Sequence, residues 1–380
     1  MNHPVYLDYC ATTPVYPDVR TAMLAALEGV YGNPSSMHWA GRQAAELVRA
    51  ARQQVAQGIG CAPEEVIFTS GATEADNLAL FGILERYSPG EAHLITTAVE
   101  HHAILHAAER LSDQGYAVTF VSVNGAGQVD PEAVRKAIRP ETRLISVMLV
   151  NNEVGSIQPV AEIGRLARQA GILMHTDAVQ AIGLPGLDFK ALNVDLLSLS
   201  AHKIYGPKGV GALVVRQGVA LQPQVYGGVQ EHAIRPGTEN VPGIVGLGAA
   251  MQLVRQYCQE QHPRLQALRA ALVEGLQQTI PGVIINGPAA EVAPHVLSVS
   301  FPGADGEMLL IRLNGAGFAI SLGSACTSQS IEPSHVLTAM GLPREQVDGT
   351  LRISLGYPTT QADLDALLAV LPEIVSRAML

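Results

Sequence analysis

The 380-residue sequence is poor in lysine, since only Lys136, Lys190, Lys203 and Lys208 occur among 24 basic residues. The chain otherwise meets its need for positive charge with arginine, so solubility does not explain the lysine pair in SLSAHKIYGPKG (residues 198–209). Arginine stays protonated in proteins, whereas a desolvated lysine amine can lose its proton and act as a base or nucleophile. Two interpretations follow: a site that needs an amine, or a strand end with two solvated charges.

Basic clusters and long apolar runs are also missing. The 34 acidic residues outnumber the 24 basic ones and the two signs are interspersed, giving a net charge of −10. Nothing supplies the clustered positive field that nucleic acid or an anionic membrane surface requires. The apolar stretches are too short or too glycine-rich to span a bilayer, and MNHPVYLDYC does not resemble a secretory signal. We therefore expect a cytoplasmic protein that binds neither nucleic acid nor membrane as its main partner.

Cysteine is scarce, and no CxxC pair is present. The four cysteines are scattered: Cys10, Cys61, Cys258 and Cys326. This spacing argues against disulfides and structural zinc, and the usual role of such a cysteine is a small buried hydrophobe. His102 and His106 lie four residues apart on a predicted helix, but HHAILH is not HExxH and no third ligand accompanies it. We expect no metal site.

The sequence does contain a regular alternation of strand and helix patterns between about residues 65 and 215. Segments such as EADNLALFGILERY and VAEIGRLARQA carry apolar residues at helical spacing. Between them lie apolar, β-branched runs: EVIFTS, HLITTA, AVTFVSV, TRLISVMLV, GILMHTD, DLLSLS and GALVV. Near-continuous apolar strands are typical of a mostly parallel sheet covered by helices on both faces. The pattern predicts an α/β fold.

A second, smaller α+β domain is predicted toward the C-terminus. A helix-rich stretch near residues 243–280 precedes the strand patterns VLSVSF and LRISLG and an amphipathic helix from about residue 360. We expect a large α/β domain over residues 12–255, and a small domain formed by residues 1–11 together with residues 256–380.

Polar residues follow five of the predicted strands. They are Gly71, Ala72, Thr73 and Glu74; Glu100, His101 and His102; Asn151, Asn152 and Glu153; Asp177 and Gln180; and His202 and Lys203. In open α/β sheets, ligands bind outside the carboxyl ends of the strands. Because five strand ends carry varied polar groups, the sequence favours one binding site over five unrelated surface loops.

The turn SGATE (residues 70–74) opens a predicted helix, where free N–H groups and the helix dipole favour an anion. The alternative is that Ser70 or Thr73 merely caps this helix. No GxxxxGK motif occurs, and Gly125-Ala126-Gly127 lacks the third glycine and the acidic partner of a dinucleotide site. A phosphate is therefore compatible with this turn, whereas ATP and NAD are not expected.

Asp177 ends a predicted strand 26 residues before Lys203. A carboxylate at the edge of a sheet needs a cation or N–H partner to offset its burial, and a pyridinium nitrogen is one such partner. Pyridoxal phosphate enzymes combine this aspartate with a Schiff-base lysine and a phosphate cradle. His101 is placed by sequence order to cover the ring. These residues together predict a pyridoxal 5′-phosphate site.

Ten short motifs are distributed along nearly the whole chain. They are LDYCATTP (7–14), YGNPSSMH (31–38), FTSGATEADN (68–77), TAVEHHAIL (97–105), VNNEVGSIQP (150–159), HTDAVQ (175–180), SAHKIYGPKGVGAL (200–213), RPGTEN (235–240), GSACTS (323–328) and RISLG (352–356). With these motifs the sequence closely resembles the cysteine desulfurases of the NifS/IscS type, which are class-V aminotransferases and fold-type-I pyridoxal phosphate enzymes.

The resemblance implies a role for each matching position around the cofactor ring. Lys203 would carry the cofactor as a Schiff base, and Asp177 would partner the pyridinium nitrogen. His101 would stack on the ring and help to move protons, and Gln180 would bond the ring hydroxyl.

The phosphate and the substrate are assigned in the same way. The phosphate would be held by Thr73, Ser200, His202, the backbone of Ala72 and Thr238 of a second subunit. Asn152 would contact the cofactor and, with Arg352, grip the substrate carboxylate, for which a bidentate arginine is well suited. Lys208 matches a family position to which the resemblance gives no catalytic role.

Cys326 lies in SLGSACTSQS, a segment rich in Gly and Ser without a hydrophobic period, which predicts a surface loop over about residues 321–333. The resemblance makes this cysteine the sulfur acceptor of a homodimeric enzyme that converts L-cysteine to L-alanine. Its sulfur would supply an iron-sulfur scaffold or another acceptor protein. Alternatives are a selenocysteine lyase or a cysteine/cystine C–S lyase of the same family, and a non-catalytic protein that retains the fold.

Overall fold

The computed structural model describes residues 4–322 and 333–379. Its strands are β1 (Val5–Tyr6), β2 (Val66–Thr69), β3 (His93–Thr97), β4 (Ala117–Val121), β5 (Thr142–Ser146), β6 (Leu173–Asp177), β7 (Leu196–Ser200), β8 (Gly211–Val215), β9 (Ile284–Asn286), β10 (Val296–Ser300), β11 (Phe318–Ala319) and β12 (Thr350–Ser354). Its α-helices are α1 (Pro17–Gly29), α2 (Trp39–Ile59), α3 (Ala72–Leu84), α4 (His102–Asp113), α5 (Pro131–Ala137), α6 (Val160–Ala170), α7 (Val241–Thr279), α8 (Gly306–Gly315), α9 (His335–Ala339), α10 (Arg344–Asp348) and α11 (Gln361–Ser376).

Seven of these strands form one sheet in the order β2-β8-β7-β6-β5-β3-β4. β8 runs antiparallel to both of its neighbours, and the other pairs are parallel. Strands β2, β3, β5, β6 and β7 therefore point the same way, and their carboxyl ends meet at one edge. The predicted α/β fold with a mostly parallel sheet is confirmed, because each predicted apolar run between residues 65 and 215 forms a strand of this sheet.

Helices cover both faces of the large sheet. Alternate strand residues point to opposite faces, so Phe68 packs into the core that contains α2, α6 and the first half of α7, whereas Ile67 packs into the core under α3 and α4. The same alternation separates Leu197 from Leu196 in β7. Burial on both faces explains why these strands are apolar at nearly every position.

A third core surrounds the antiparallel sheet β12-β10-β9. The later half of α7 reaches this core through residues spaced at one helical turn: Leu265, Leu268, Leu272 and Leu276. The start of the chain joins the same region, because β1 pairs with β11. Helix α7 runs across residue 255 and contributes both to the core with α2 and α6 and to this third core. The division of the chain into residues 12–255 and the remainder stays a prediction.

No helix in the two described ranges combines the length and the apolar character needed to cross a membrane.

Candidate active site

A cavity of about 590 Å³ lies at the carboxyl ends of the large sheet. It brings together the predicted site residues Ala72, Thr73, His101, Asn152, Asp177, Gln180, Ser200, His202, Lys203 and Arg352. Thr238 is exposed on this chain and does not line the cavity. Cys326 lies outside the described residues. The five strand ends that carry these side chains therefore form one site rather than separate surface loops.

The Lys203 amine stands at the rim of this cavity, in a short 3₁₀ turn (Ala201–Lys203) that directly follows β7. Its Nζ donates hydrogen bonds to the backbone oxygens of Cys10, at 2.5 Å, and Ala11, at 2.9 Å. The sequence did not predict these partners, because a bond to a backbone carbonyl leaves no side-chain signature. The segment around Cys10 thus fixes the amine from the N-terminal part of the chain.

Asp177 ends β6 and points its carboxylate into the same cavity. The backbone N–H of Val179 donates to its Oδ1 at 2.9 Å. Burial raises the pKa of Asp177 to about 6, and the Val179 hydrogen bond and the Lys203 charge only partly offset this rise. The ionised carboxylate is therefore under-compensated, so a cation placed beside it would be stabilised. A pyridinium nitrogen meets that requirement.

A second carboxyl group, Asp76 of α3, is fully buried and also lines the cavity. Neither of its oxygens has a hydrogen-bond partner among the described residues. Burial and repulsion by Asp177 raise the pKa of Asp76 well above its usual range, with a smaller opposing effect from Ser198. The neutral form of Asp76 is therefore favoured, and Asp177 is the member of the pair that carries the charge. The sequence offered one signal for Asp76, an acidic residue within an apolar helical pattern.

His175 lies beside these two acids, its Nε2 3.7 Å from Oδ1 of Asp76. Its ring is hydrogen bonded to Ser146 Oγ at 2.8 Å and to Ser198 Oγ at 3.0 Å. Burial lowers the pKa of His175 to about 3, so the ring is neutral. It supplies no positive charge to the acids above it.

His101 is the N-cap of α4, and its Nδ1 accepts a hydrogen bond from the N–H of Ala103 at 3.2 Å. Burial and then the positive charges of Lys203 and the neighbouring histidines lower the pKa of His101 to about 4. The ring is therefore neutral at pH 7 with its proton on Nε2, a form that can give up or accept a proton at that atom. Its predicted stacking on the cofactor stays a prediction.

Three histidine rings, His102, His106 and His335, lie close together next to His101. The ring centroid of His102 lies 4.8 Å from that of His106 and 4.7 Å from that of His335. Nε2 of His335 donates to the backbone oxygen of Glu100 at 2.9 Å. Across residues 4–322 and 333–379, no group of three or more His, Cys, Asp or Glu side chains could hold a metal ion.

One end of the cavity is formed by the start of α3 and is called the anion end here. The N-cap of α3 is Gly71, which has no side chain to cap the helix. The interpretation of Ser70 or Thr73 as the cap is therefore wrong, because Ser70 precedes the cap and Thr73 already lies in the first turn. A Cβ on Gly71 would lie 3.9 Å from Ser200 Oγ, so a hydroxyl from β7 lies close to the start of α3. A phosphate fits this arrangement.

His202 completes the anion end. Its Nδ1 is hydrogen bonded to Thr12 Oγ1 at 3.2 Å, which ties the end of β7 to the N-terminal segment. Burial and then the charges of Lys203 and Lys208 lower the pKa of His202 to about 4. His202 can therefore hydrogen bond a phosphate but brings no positive charge to it at pH 7.

Arg352 of β12 also lines the cavity and is 3% exposed. Its Nη2 donates to Asp8 Oδ1 at 2.9 Å, and its Nη1 donates to the backbone oxygen of Asn152 at 3.2 Å. Burial disfavours the charged form, but the neighbouring Cys10 and Asp8 raise the pKa of Arg352 overall. A fixed, buried guanidinium is suited to a carboxylate ligand.

Gln180 is buried and lines the cavity. Its Nε2 donates to the backbone oxygen of Cys10 at 3.0 Å, and its Oε1 lies 3.3 Å from Nε2 of His295. Both ends of the amide are thus engaged, which fixes its orientation beside Asp177.

The described residues fit pyridoxal phosphate on three counts. The cavity holds an amine, a buried carboxylate that lacks a full counter-charge, and an uncapped helix start at the end where the phosphate belongs.

The comparisons with known proteins agree with this fit. The Aminotransferase class-V family model matches residues 5–367. A protein of Methanosarcina thermophila named cysteine desulfurase IscS is 47% identical over 376 residues, covering 99% of this chain and 93% of that protein. A solved structure titled NifS-like protein has a TM-score of 0.93 at 39% identity, covering 98% of this chain and all of the other. A structure titled SspA in complex with cysteine has a TM-score of 0.82 at 35% identity, covering 92% of this chain and 98% of that one.

The family resemblance and the cofactor predicted from the sequence are thereby confirmed. The similarity covers nearly the whole chain, and the lysine, aspartate and helix start of the cavity suit the cofactor. The chain belongs to the class-V aminotransferase family of pyridoxal phosphate enzymes and, within it, to the cysteine desulfurases of the NifS/IscS type.

Proposed function

We propose that the protein is a cysteine desulfurase that converts L-cysteine to L-alanine and transfers the sulfur to Cys326. The observation that carries this proposal is the joint placement of Lys203, Asp177 and Arg352 around one cavity. The relatives that share nearly the full length of the chain are named cysteine desulfurases, which favours this activity over a selenocysteine lyase or a cysteine/cystine C–S lyase. The retained amine, carboxylate and guanidinium also argue against a non-catalytic protein.

The cofactor supplies an electron sink that makes the Cα proton of the bound amino acid acidic. The chain's own groups organise the rest. Asp177 is the carboxylate that ionises when a cation lies beside it, and Arg352 orients the substrate by its carboxylate. The Lys203 amine and Nε2 of neutral His101 are the groups that can take and return protons within the cavity.

Sulfur transfer requires a thiol nucleophile, and Cys326, which lies outside the described residues, is the proposed one. Its thiolate attacks the sulfur of the substrate, so that an S–S bond forms as the bond between Cβ and sulfur breaks. The electron pair of that bond stays with the carbon fragment, which takes up a proton and leaves as alanine. One thiol and one cysteine thus yield one persulfide and one alanine, and no external oxidant or reductant is needed.

We expect one turnover with L-cysteine to add one sulfur atom to the peptide that contains Cys326 and to release one alanine. Mass spectrometry of the digested protein and amino-acid analysis of the supernatant measure the two products. The variant Cys326→Ala should yield neither, because the acceptor thiol is gone, while the visible absorbance of bound cofactor is retained.

Cys258→Ala is the matched control, since Cys258 is a half-buried cysteine on α7 outside the cavity lining, and it should behave like the parent. Pyruvate and ammonia in place of alanine would mean elimination and would reject the proposed function. Parent-rate alanine release from Cys326→Ala without added thiol would reject the acceptor role.

We further propose that two copies of the chain form a homodimer. Large apolar side chains are exposed on two segments: Tyr31, Met37 and Trp39 on the first, and Val225, Tyr226 and Val229 on the second. The two segments are neighbours, because Ser35 and Val229 line one cleft. An apolar surface of this kind is typical of a protein interface. In the proposed dimer, Thr238 of one subunit reaches the anion end of the other.

Val229→Asp is expected to convert the dimer into monomers, because a carboxylate in an apolar interface loses its hydration without gaining a partner. Sedimentation velocity at micromolar concentration measures the change. Ile311→Asp, at an exposed apolar residue of α8, is the matched control and should remain dimeric. A monomeric parent protein, or a Val229→Asp variant that dimerises normally, would contradict the proposal.

The sulfur held at Cys326 is proposed to pass to an acceptor protein for iron-sulfur cluster assembly or thiolation. The cytoplasmic location stays a prediction.

A further inference from the structure

We propose that Lys208 supplies the positive charge that retains the phosphate of the cofactor at the anion end. The inference rests on the proposed function only in requiring that the cavity hold pyridoxal phosphate. Lys208 lines the cavity together with Ala72, Thr73, Ser200 and His202, the groups assigned to the phosphate.

The other groups at the anion end supply too little positive charge to balance a phosphate, and a lysine ammonium can supply the rest. A phosphate monoester carries about −1.5 to −2 charge at pH 7. The hydroxyls of Thr73 and Ser200 are neutral, the start of α3 offers only partial charge, and the lowered pKa of His202 keeps its ring neutral. Glu74, which also lines the cavity, is negative and paired with Arg235 at 2.8 Å.

Three lysine or arginine side chains occur among the described residues that line the cavity: Lys203, Lys208 and Arg352. The Lys203 amine is consumed in bonding the cofactor, and the charge of Arg352 is already paired with Asp8. Lys208 forms no ion pair with a carboxylate in the part of the chain that the structure describes. Its ammonium is therefore the charge available to the anion end.

The backbone around Lys208 is held against the start of α3. At Gly211, the first residue of β8, a Cβ would lie 2.8 Å from the Cα of Gly71 and 2.5 Å from the backbone oxygen of Leu199. Only glycine allows this approach. Gly209 has φ +80° and turns the chain between Lys208 and β8, and its oxygen accepts a hydrogen bond from Asn240 Nδ2 at 3.4 Å. The close approach at Gly211 therefore fixes the turn that carries Lys208 beside the anion end.

The exposure of Lys208 determines how large an effect its substitution should have. The residue is exposed at the mouth of the cavity, so its charge acts through partly hydrated space and its effect is moderate. An arginine at this position would keep the charge, whereas a glutamine of similar length would remove it. This contrast separates the role of charge from that of packing.

The test measures the affinity of the full-length protein, stripped of cofactor, for pyridoxal phosphate and for pyridoxal, which lacks the phosphate. Lys208→Gln is expected to weaken pyridoxal phosphate binding roughly 10-fold and to flatten its dependence on salt, because one charge-assisted contact is lost. Binding of pyridoxal should not change. Lys208→Arg should restore most of the affinity, and Lys190→Gln, at an exposed lysine outside the cavity lining, is the matched control.

Equal affinity of the parent and Lys208→Gln for pyridoxal phosphate would overturn the proposal. An equal loss for pyridoxal phosphate and pyridoxal would also overturn it, because the loss would then not depend on the phosphate. Both measurements precede catalysis, so they are read independently of whether L-cysteine is converted to alanine. Failure of the proposed function would appear in the product analysis alone.

Discussion

Replacing Lys203 with alanine is expected to prevent covalent retention of the cofactor and to reduce turnover by about 10⁴-fold or more. The substitution removes both the amine that bonds the cofactor and a group that moves protons, and acid–base catalysis alone is typically worth 10²–10⁴-fold. Borohydride reduction followed by mass spectrometry measures covalent retention: the parent should carry the cofactor mass on the peptide that contains Lys203, and the variant should not.

The scarcity of lysine makes this result easy to interpret. The chain has only three other lysines, and of these only Lys208 lines the cavity. Lys203→Arg is the matched control, since it keeps the charge near Cys10 and Ala11 but cannot form the covalent bond, and it should be equally inactive. Turnover of Lys203→Ala within tenfold of the parent, or reduction of the cofactor onto Lys208 in the parent, would contradict the assignment.

Asp177→Asn is expected to lower turnover by about 10²–10³-fold, the usual cost of removing one preorganised electrostatic partner. Asparagine can keep the hydrogen bond from the N–H of Val179 to Oδ1, so the local backbone has no reason to change. It lacks the negative charge that stabilises a cation on the ring nitrogen. The measurement is turnover with saturating L-cysteine and cofactor, which separates the loss of charge from weaker binding.

The same substitution should stabilise the cofactor-free protein. Burial raises the pKa of Asp177 to about 6 from an ordinary value of 3.8, so the folded state holds a proton that the unfolded state has lost between these pH values. Stability therefore falls as pH rises through this window, and asparagine removes the contribution of Asp177 to the fall. At pH 7 we expect a gain of about 3 kcal/mol in the free energy of unfolding.

Urea unfolding of the parent and the Asp177→Asn variant at pH 4 and pH 7 measures this difference. Asp113→Asn is the matched control, because this exposed carboxylate of α4 is hydrated in both the folded and the unfolded state. It should leave the pH dependence close to that of the parent. If Asp177→Asn and the parent lost stability equally between the two pH values, the Asp177 carboxylate would not be a source of instability at pH 7.

The large sheet could be predicted from the sequence because its strands are buried on both faces and read as unbroken apolar runs. The direction of β8 was not predicted, although the sequence contains the reason. Only residues 201–210 separate β7 from β8, and a parallel crossover needs a dozen residues or more. The chain must therefore turn back on itself at this point, and β8 runs opposite to its neighbours.

The candidate site was predictable wherever one strand end supplied a polar side chain. It was not predictable where residues distant in sequence meet: Arg352 pairs with Asp8 across 344 positions, and Lys203 bonds the Cys10 carbonyl across 193. The capping interpretation of Ser70 and Thr73 failed for a different reason. Local preference favours a hydroxyl cap, but the turn at Gly71 brings the backbone close to Ser200 and leaves the start of α3 without a side-chain cap.

Arg352 stands on β12 of the small antiparallel sheet, whereas Lys203 and Asp177 follow strands of the large one. With the roles proposed above, recognition of the amino acid and retention of the prosthetic group fall to separate sheets. Small adjustments in the packing around β12 can alter which carboxylate-bearing molecule is accepted while leaving the ring and its lysine undisturbed. A scaffold divided in this way lets selectivity diverge among descendants without loss of the underlying chemistry.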